Sequence, residues 1–131
     1  MKKILLDTNF LLIPIQFKLD IFSEIHDICN FNYKLFILDK TIEELNNIIE
    51  KQKGKSKEAA KFALKLIKLK KISIIKTKEK LTADRLILKK ANKKEYIIAT
   101  QDKFLKKQLK IRQIPLIILR QKKRLILEGS I

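Results

Sequence analysis

Short apolar runs recur along the chain at 4–6, 35–38, 72–75, 96–99 and 116–119. Each is too short to be a helix and lacks the polar alternation of a strand with one wet face. Each therefore reads as a strand covered on both sides. Between them lie longer stretches with helical spacing. Phe17, Ile21, Ile25 and Ile28 form one stripe, Ile42, Leu45, Ile48 and Ile49 a second, and Phe62, Leu66 and Leu69 a third. Further helices are expected over 86–91 and 104–109, and the apolar patch 125–127 reads as an added edge strand. Strands that alternate with helices imply an α/β fold with a mainly parallel sheet of about five strands, covered by helices on both faces.

The chain has 131 residues, enough for one core and one domain, 1–131. With 46% hydrophobic residues and only 2 Gly and 2 Pro, it is neither disordered nor a turn-rich all-β protein. Lys2 and Lys3 before an apolar run resemble the start of a signal peptide, but Asp7 and Asn9 interrupt that run and Pro14, Gln16 and Phe17 follow it. No stretch reaches the ~20 apolar residues that cross a bilayer, so a cytosolic protein is expected. Cys29 is the only cysteine and His26 the only histidine, which excludes an internal disulfide and a His/Cys zinc site. Any metal must be held by oxygen.

The formal charge is +17, from 31 Lys and Arg against 14 Asp and Glu. A bias toward Lys and Ile in composition contributes to this excess, yet the field it creates still attracts polyanions. In the segment 51–80 the lysines read either as the solvated face of an amphipathic helix or as contacts to nucleic acid. The stretch 51–57 is an expected exposed connection, with Ser56 as a candidate N-cap.

Against this basic background the position of a few acids carries the chemistry. Asp7 sits in the apolar run "KILLDTNFLLI", where an unpaired carboxylate costs several kcal/mol. It ends a strand, and in open parallel sheets the working crevice lies outside the carboxyl ends of the strands. Asp102 follows the strand 96–99 in the same way. Asp84 opens the helix before that strand, and Glu44 lies near the start of the helix after 35–38. Asp84 and Asp102 also read as helix caps, Glu44 reads as a surface acid or as the partner of Thr41 in a capping box, and Asp39 and Glu43 read as solvent or cap residues. No cap spacing explains Asp7. Gathered together, these four carboxylates would repel one another unless a cation neutralised them. Oxygen-only ligands suit magnesium or manganese, which activate water in phosphodiester hydrolysis.

At these residues the sequence resembles the PIN-domain nucleases, most closely the archaeal relatives of the small-subunit-processome proteins that cut precursor ribosomal RNA, and more distantly the VapC-like toxins. The matching pieces are "LLDTNFLLIPIQFKLDIF", "LDKTIEEL", "ADRLIL", "IIATQDKFLKKQLK" and "IPLIILRQKKRLILEG", in family order over nearly the whole chain. The resemblance implies a three-layer α/β/α fold and a magnesium- or manganese-dependent endoribonuclease centre. Its acids fall on Asp7, Glu44, Asp84 and Asp102, with Thr8, Asn9 and Thr100 as supports. Arg85, Lys103, Lys106, Lys107, Lys122, Lys123 and Arg124 are the expected contacts to RNA. Departures are Ala83 and Arg85 on either side of Asp84, where relatives often carry paired acids, and Gln101 where Asn is common. The expected activity is cleavage of structured or ribosomal precursor RNA. The alternatives are a toxin ribonuclease with an antitoxin protein as partner, and a silent RNA-binding assembly factor. A homodimer is the assembly the resemblance implies, and no membrane partner is expected.

Overall fold

The computed structural model describes residues 1–131. The strands are β1 (Lys2–Leu6), β2 (Tyr33–Leu38), β3 (Ser73–Ile75), β4 (Tyr96–Ala99), β5 (Leu116–Arg120) and β6 (Arg124–Glu128). The helices are α1 (Ile13–Phe17), α2 (Ile21–Ile28), α3 (Asp39–Lys51), α4 (Lys55–Leu69), α5 (Ala83–Lys90) and α6 (Lys103–Ile111), and a 3-10 turn, Asn9–Leu12, leads into α1. One six-stranded sheet has the order β3-β2-β1-β4-β5-β6; only β6 is antiparallel, paired with β5. The sheet thus has one strand more than the five apolar runs, and the extra one is the patch expected at 125–127.

The strands are apolar throughout because both faces are covered. Along β1, Ile4 and Leu6 pack on one side and Leu5 on the other. In β4, Ile97 and Ala99 face the first side and Tyr96 and Ile98 the second, as the two-residue period of a strand requires. Residues of α1, α2 and α4 build the first core around Phe10, Ile21, Ala63 and Ile67; α5 and α6 build the second with Leu86, Ile87, Leu105 and Leu109. These layers give the expected α/β/α arrangement. No helix is long and apolar enough to cross a membrane.

Local readings fail where a capping residue or a turn intervenes. The stripe from Phe17 to Ile28 is not one helix: α1 ends at Phe17, Lys18 turns left-handed at φ 51°, and the Asp20 carboxylate starts α2 by accepting from the Phe22 and Ser23 amides at 3.1 and 3.2 Å. Ser56 is not the cap of α4. Gly54 holds that position at φ 66°, a conformation that favours glycine, and Ser56 lies inside the helix. Thr41 and Glu44 form no capping box either, because α3 begins two residues earlier, at Asp39. Both side chains turn toward β1 instead.

All parallel strands end at the same edge, so the residues after β1, β4 and β5 and the starts of α5 and α6 share one rim of the sheet. At the far end of this rim, Asp39 accepts from the Thr77 hydroxyl at 2.7 Å and the Thr77 amide at 3.0 Å, which ties the exit of β3 to the start of α3. Its slight burial opposes the charge, but these donors and the Lys40 amide prevail and hold the Asp39 carboxyl below its ordinary value.

Candidate active site

Asp7 extends the central ladder by one residue, its amide donating to the Ala99 carbonyl at 2.9 Å. The chain then turns into the 3-10 segment, and the carboxylate stays under it, only 4% exposed. Asp7 Oδ1 accepts from the Thr8 amide at 2.8 Å, and Oδ2 from the Thr100 hydroxyl at 2.7 Å. Burial pushes this carboxyl up from 3.8 to about 6; the Thr100 and Thr8 donors pull against it, and the negative charges of Glu44 and Asp84 add to the rise. The strand end thus holds a carboxylate that is hydrogen-bonded but still short of positive charge.

Glu44 reaches the rim from the second turn of α3. Its Oε1 accepts from the Thr8 hydroxyl at 2.7 Å and its Oε2 from the Ala83 amide, the first residue of α5, at 2.9 Å. Thr8 Oγ1 also lies 3.0 Å from Thr41 Oγ1. A hydroxyl has a single proton, and the carboxylate is the stronger acceptor, so Thr8 donates to Glu44 and accepts from Thr41. The buried Thr41 thereby orients Thr8. Asp84, next to Ala83, accepts from the Thr82 hydroxyl. It is the second residue of α5 and not its cap.

Asp102 is the N-cap of α6, its Oδ1 accepting from the Leu105 amide at 2.8 Å. The cap reading and the site reading are compatible here, because Oδ2 makes no hydrogen bond within the protein. The Asp102 amide donates to Thr100 Oγ1 at 3.1 Å, so one buried hydroxyl connects the backbone of Asp102 to the carboxylate of Asp7. Asn9 accepts from the Gln101 amide at 3.2 Å through Oδ1, and the Gln101 side chain donates to the Asn9 carbonyl at 2.9 Å. Three residues that the sequence reading does not count among the site residues help to build the rim: Thr41, read there as part of a capping box, Gln101, noted there only as a departure, and Thr82. The one visible signal was the position of Thr41 and Thr82, each a few residues before an expected site acid.

The donors are hard oxygens throughout, which fits magnesium or manganese in kind. As they stand, no three acids are close enough to one another to hold a single ion. The acids are linked through intermediaries: Asp7 with Asp102 through Thr100, Asp7 with Glu44 through Thr8, and Glu44 with the start of α5 through the Ala83 amide. The expected basic residues fall on the elements that follow the parallel strands. Arg85 follows Asp84, Lys103 opens α6 with Lys106 and Lys107 along it, and Lys122, Lys123 and Arg124 lie at the turn between β5 and β6. None of them is in an ion pair; the four ion pairs engage Lys3, Lys40, Lys89 and Lys110.

Comparison with known proteins is consistent over the whole chain. Residues 4–122 match the model of the PIN like domain family. Ribonuclease VapC4 of Methanocaldococcus jannaschii is 36% identical over 124 residues, covering 94% of each chain. Ribonuclease VapC9 of Archaeoglobus fulgidus is 32% identical over 123 residues, 93% of this chain and 86% of its own. Among solved structures, the PIN domain endonuclease Utp24 superposes with a TM-score of 0.77 at 23% identity, covering 98% of this chain and 92% of that one, a likeness of fold. With a family match from Ile4 to Lys122 and two ribonuclease relatives at 36% and 32% identity over nearly its whole length, the chain belongs to the PIN domain family.

Proposed function

We propose that the protein is a metal-dependent endoribonuclease of the VapC kind, formed by a single PIN domain over 1–131. The observation that carries this reading is Asp7: a buried carboxylate at the end of a central strand, raised to about 6 by burial and by the charges of Glu44 and Asp84. Asp7 and Asp102 are the proposed principal ligands of magnesium or manganese, with Asp84 and Glu44 holding the ion directly or through water. When bound, such an ion supplies an activated water and neutralises charge at the leaving oxygen. Thr100 fixes Asp7 and Asp102 relative to each other, while Thr8 and Thr41 fix Glu44. Arg85 and the lysines of α6 and the β5–β6 turn hold the RNA backbone. The names of the two curated relatives support the toxin reading over ribosomal RNA processing, for which the likeness to Utp24 supports only the fold.

The test is cleavage of labelled single-stranded and structured RNA in manganese, in magnesium and in chelator, beside Asp7→Asn. Cutting that needs metal and disappears in the variant supports the reading; cutting in chelator, or by a folded Asp7→Asn protein, refutes it. Binding without cutting in every metal would favour the RNA-binding assembly factor. A small gene immediately upstream, encoding a protein that binds this one and stops cleavage, would supply the antitoxin.

A further inference from the structure

Beside the acidic rim lies a cavity of about 320 Å³, lined by Phe17, Gln101, Lys106, Leu119, Gln121 and Lys122. Its residues come from three distant parts of the chain: the end of α1, the β4–α6 corner and the β5–β6 turn. The corner residue Gln101 is adjacent to Asp102 and bonded to Asn9, so the cavity opens next to the acids. Its chemistry is divided. Phe17 and Leu119, both partly buried against the core, form an apolar floor, while Lys106 and Lys122 bring two positive charges and no acid lines the cavity.

The turn that closes the cavity has an unusual backbone. Gln121 and Lys122 both have positive φ, 55° and 57°, and the Lys123 amide closes the turn on the Arg120 carbonyl at 3.1 Å. Two consecutive left-handed residues are the geometry of a type I′ turn, for which Asn and Gly are favoured. Here two long polar side chains occupy those positions, in a tip where Arg120, Lys122, Lys123 and Arg124 are all basic. The turn places Gln121 and Lys122 in the wall of the cavity.

We propose that this cavity is a nucleotide subsite, which takes one residue of single-stranded RNA adjacent to the one being cut. The inference rests on the ribonuclease reading for the identity of the rim, but not for its own test. The base lies against Phe17 and Leu119, since aromatic faces hold bases of any sequence. The phosphate lies between Lys106 and Lys122. Gln101 donates one side-chain amide proton to the Asn9 carbonyl, which leaves its Oε1 without a partner in the protein and available as an acceptor for the base, and Gln121 offers a second amide.

Binding of a fluorescein-labelled uridine hexamer is measured by anisotropy in chelator, so that no cleavage intervenes, over a series of salt concentrations. Lys106→Gln/Lys122→Gln is compared with Lys93→Gln/Lys94→Gln, which removes the same charge from exposed positions before β4, at the opposite edge of the sheet. The cavity pair should weaken binding at least tenfold and flatten the log–log salt slope by about 0.7, the value for one neutralised phosphate of a single strand. The Lys93/Lys94 pair should change affinity less than threefold. Phe17→Leu keeps an apolar floor and should weaken binding about fivefold or more, through lost stacking, with the salt slope unchanged. Equal effects of the two lysine pairs, or full affinity in Phe17→Leu, would overturn the subsite. Cleavage by the wild type in manganese separates the two claims: cutting with an indifferent cavity leaves the ribonuclease without this subsite, and a cavity effect without cutting leaves an RNA-binding site without the enzyme.

Discussion

Without metal at neutral pH, Asp7→Asn should make this protein more stable. A carboxyl that titrates at 3.8 in the unfolded chain and at about 6 in the fold is held more tightly protonated by the native state. Its contribution to stability is therefore complete below the unfolded value and is lost as pH rises toward 6. By pH 7.5 the loss amounts to about 3 kcal/mol. Asparagine has nearly the same shape and no charge. It gives up a charged acceptor for the Thr100 hydroxyl, 2.7 Å away, which offsets about 1–2 kcal/mol of the gain. The net expectation is a stabilisation of about 1–2 kcal/mol at pH 7.5, or a Tm higher by about 3–8 °C for a chain of this size. At pH 4.5 only about 1 kcal/mol of the ionisation penalty remains, so the two proteins should converge or exchange order. Urea unfolding followed by circular dichroism in chelator, at the two pH values, reads both differences. A wild type that is the more stable at pH 7.5, or a difference that does not change with pH, would refute the argument. Manganese should then favour the wild type, since a ligand at one hundred times its Kd stabilises the native state by about 2.7 kcal/mol.

Thr100→Val should lower cleavage by an order of magnitude or more, because it frees Asp7 and Asp102 from their common hydroxyl; the loss of two buried hydrogen bonds should also cost about 1–3 kcal/mol in urea unfolding. Thr41→Val leaves the hydroxyl of Thr8 without its donor and should reduce cleavage several-fold with little change in RNA affinity measured in chelator. Gly129→Ala should destabilise the protein by about 1–3 kcal/mol, since Gly129 has φ 100° and the added Cβ would stand 3.2 Å from Pro115 Cα. Asp39→Asn should weaken stability most at neutral pH and least in acid: the native carboxyl lies below its ordinary value, so its contribution is present above the unfolded value and lost as pH falls through the folded one.

The strands were legible because burial on both faces leaves an unbroken apolar run, a signal that does not depend on neighbours. The helical stripes were legible for α3 and α4 but joined α1 to α2, since periodicity alone does not register a left-handed Lys18 or the side chain of Asp20 reaching two amides. The rim was legible where topology alone fixes it, at the ends of β1 and β4, and so Asp7 and Asp102 could be placed. Thr41 and Gln101 were not legible. Their roles depend on contacts made 33 and 92 residues away, and those follow from helix rotation and strand register that no local pattern encodes. Expectations of a capping box at Thr41 and Glu44 failed for the same reason: the spacing was right, but both side chains had stronger partners across the fold.

The placement of β1 at the middle of the sheet has a consequence for how such a protein is made. Asp7 is synthesised well before its partners: its hydroxyl donor, Thr100, comes 93 residues later, and the Ala99 carbonyl that its amide meets lies just before Thr100. Pairings this distant in sequence form late. A nascent chain still attached to its ribosome therefore carries the acid without the geometry, surrounded by messenger and ribosomal RNA. The order of the strands delays the assembly of the rim until β4 and the start of α6 have emerged, so its timing is set by topology before any partner takes part.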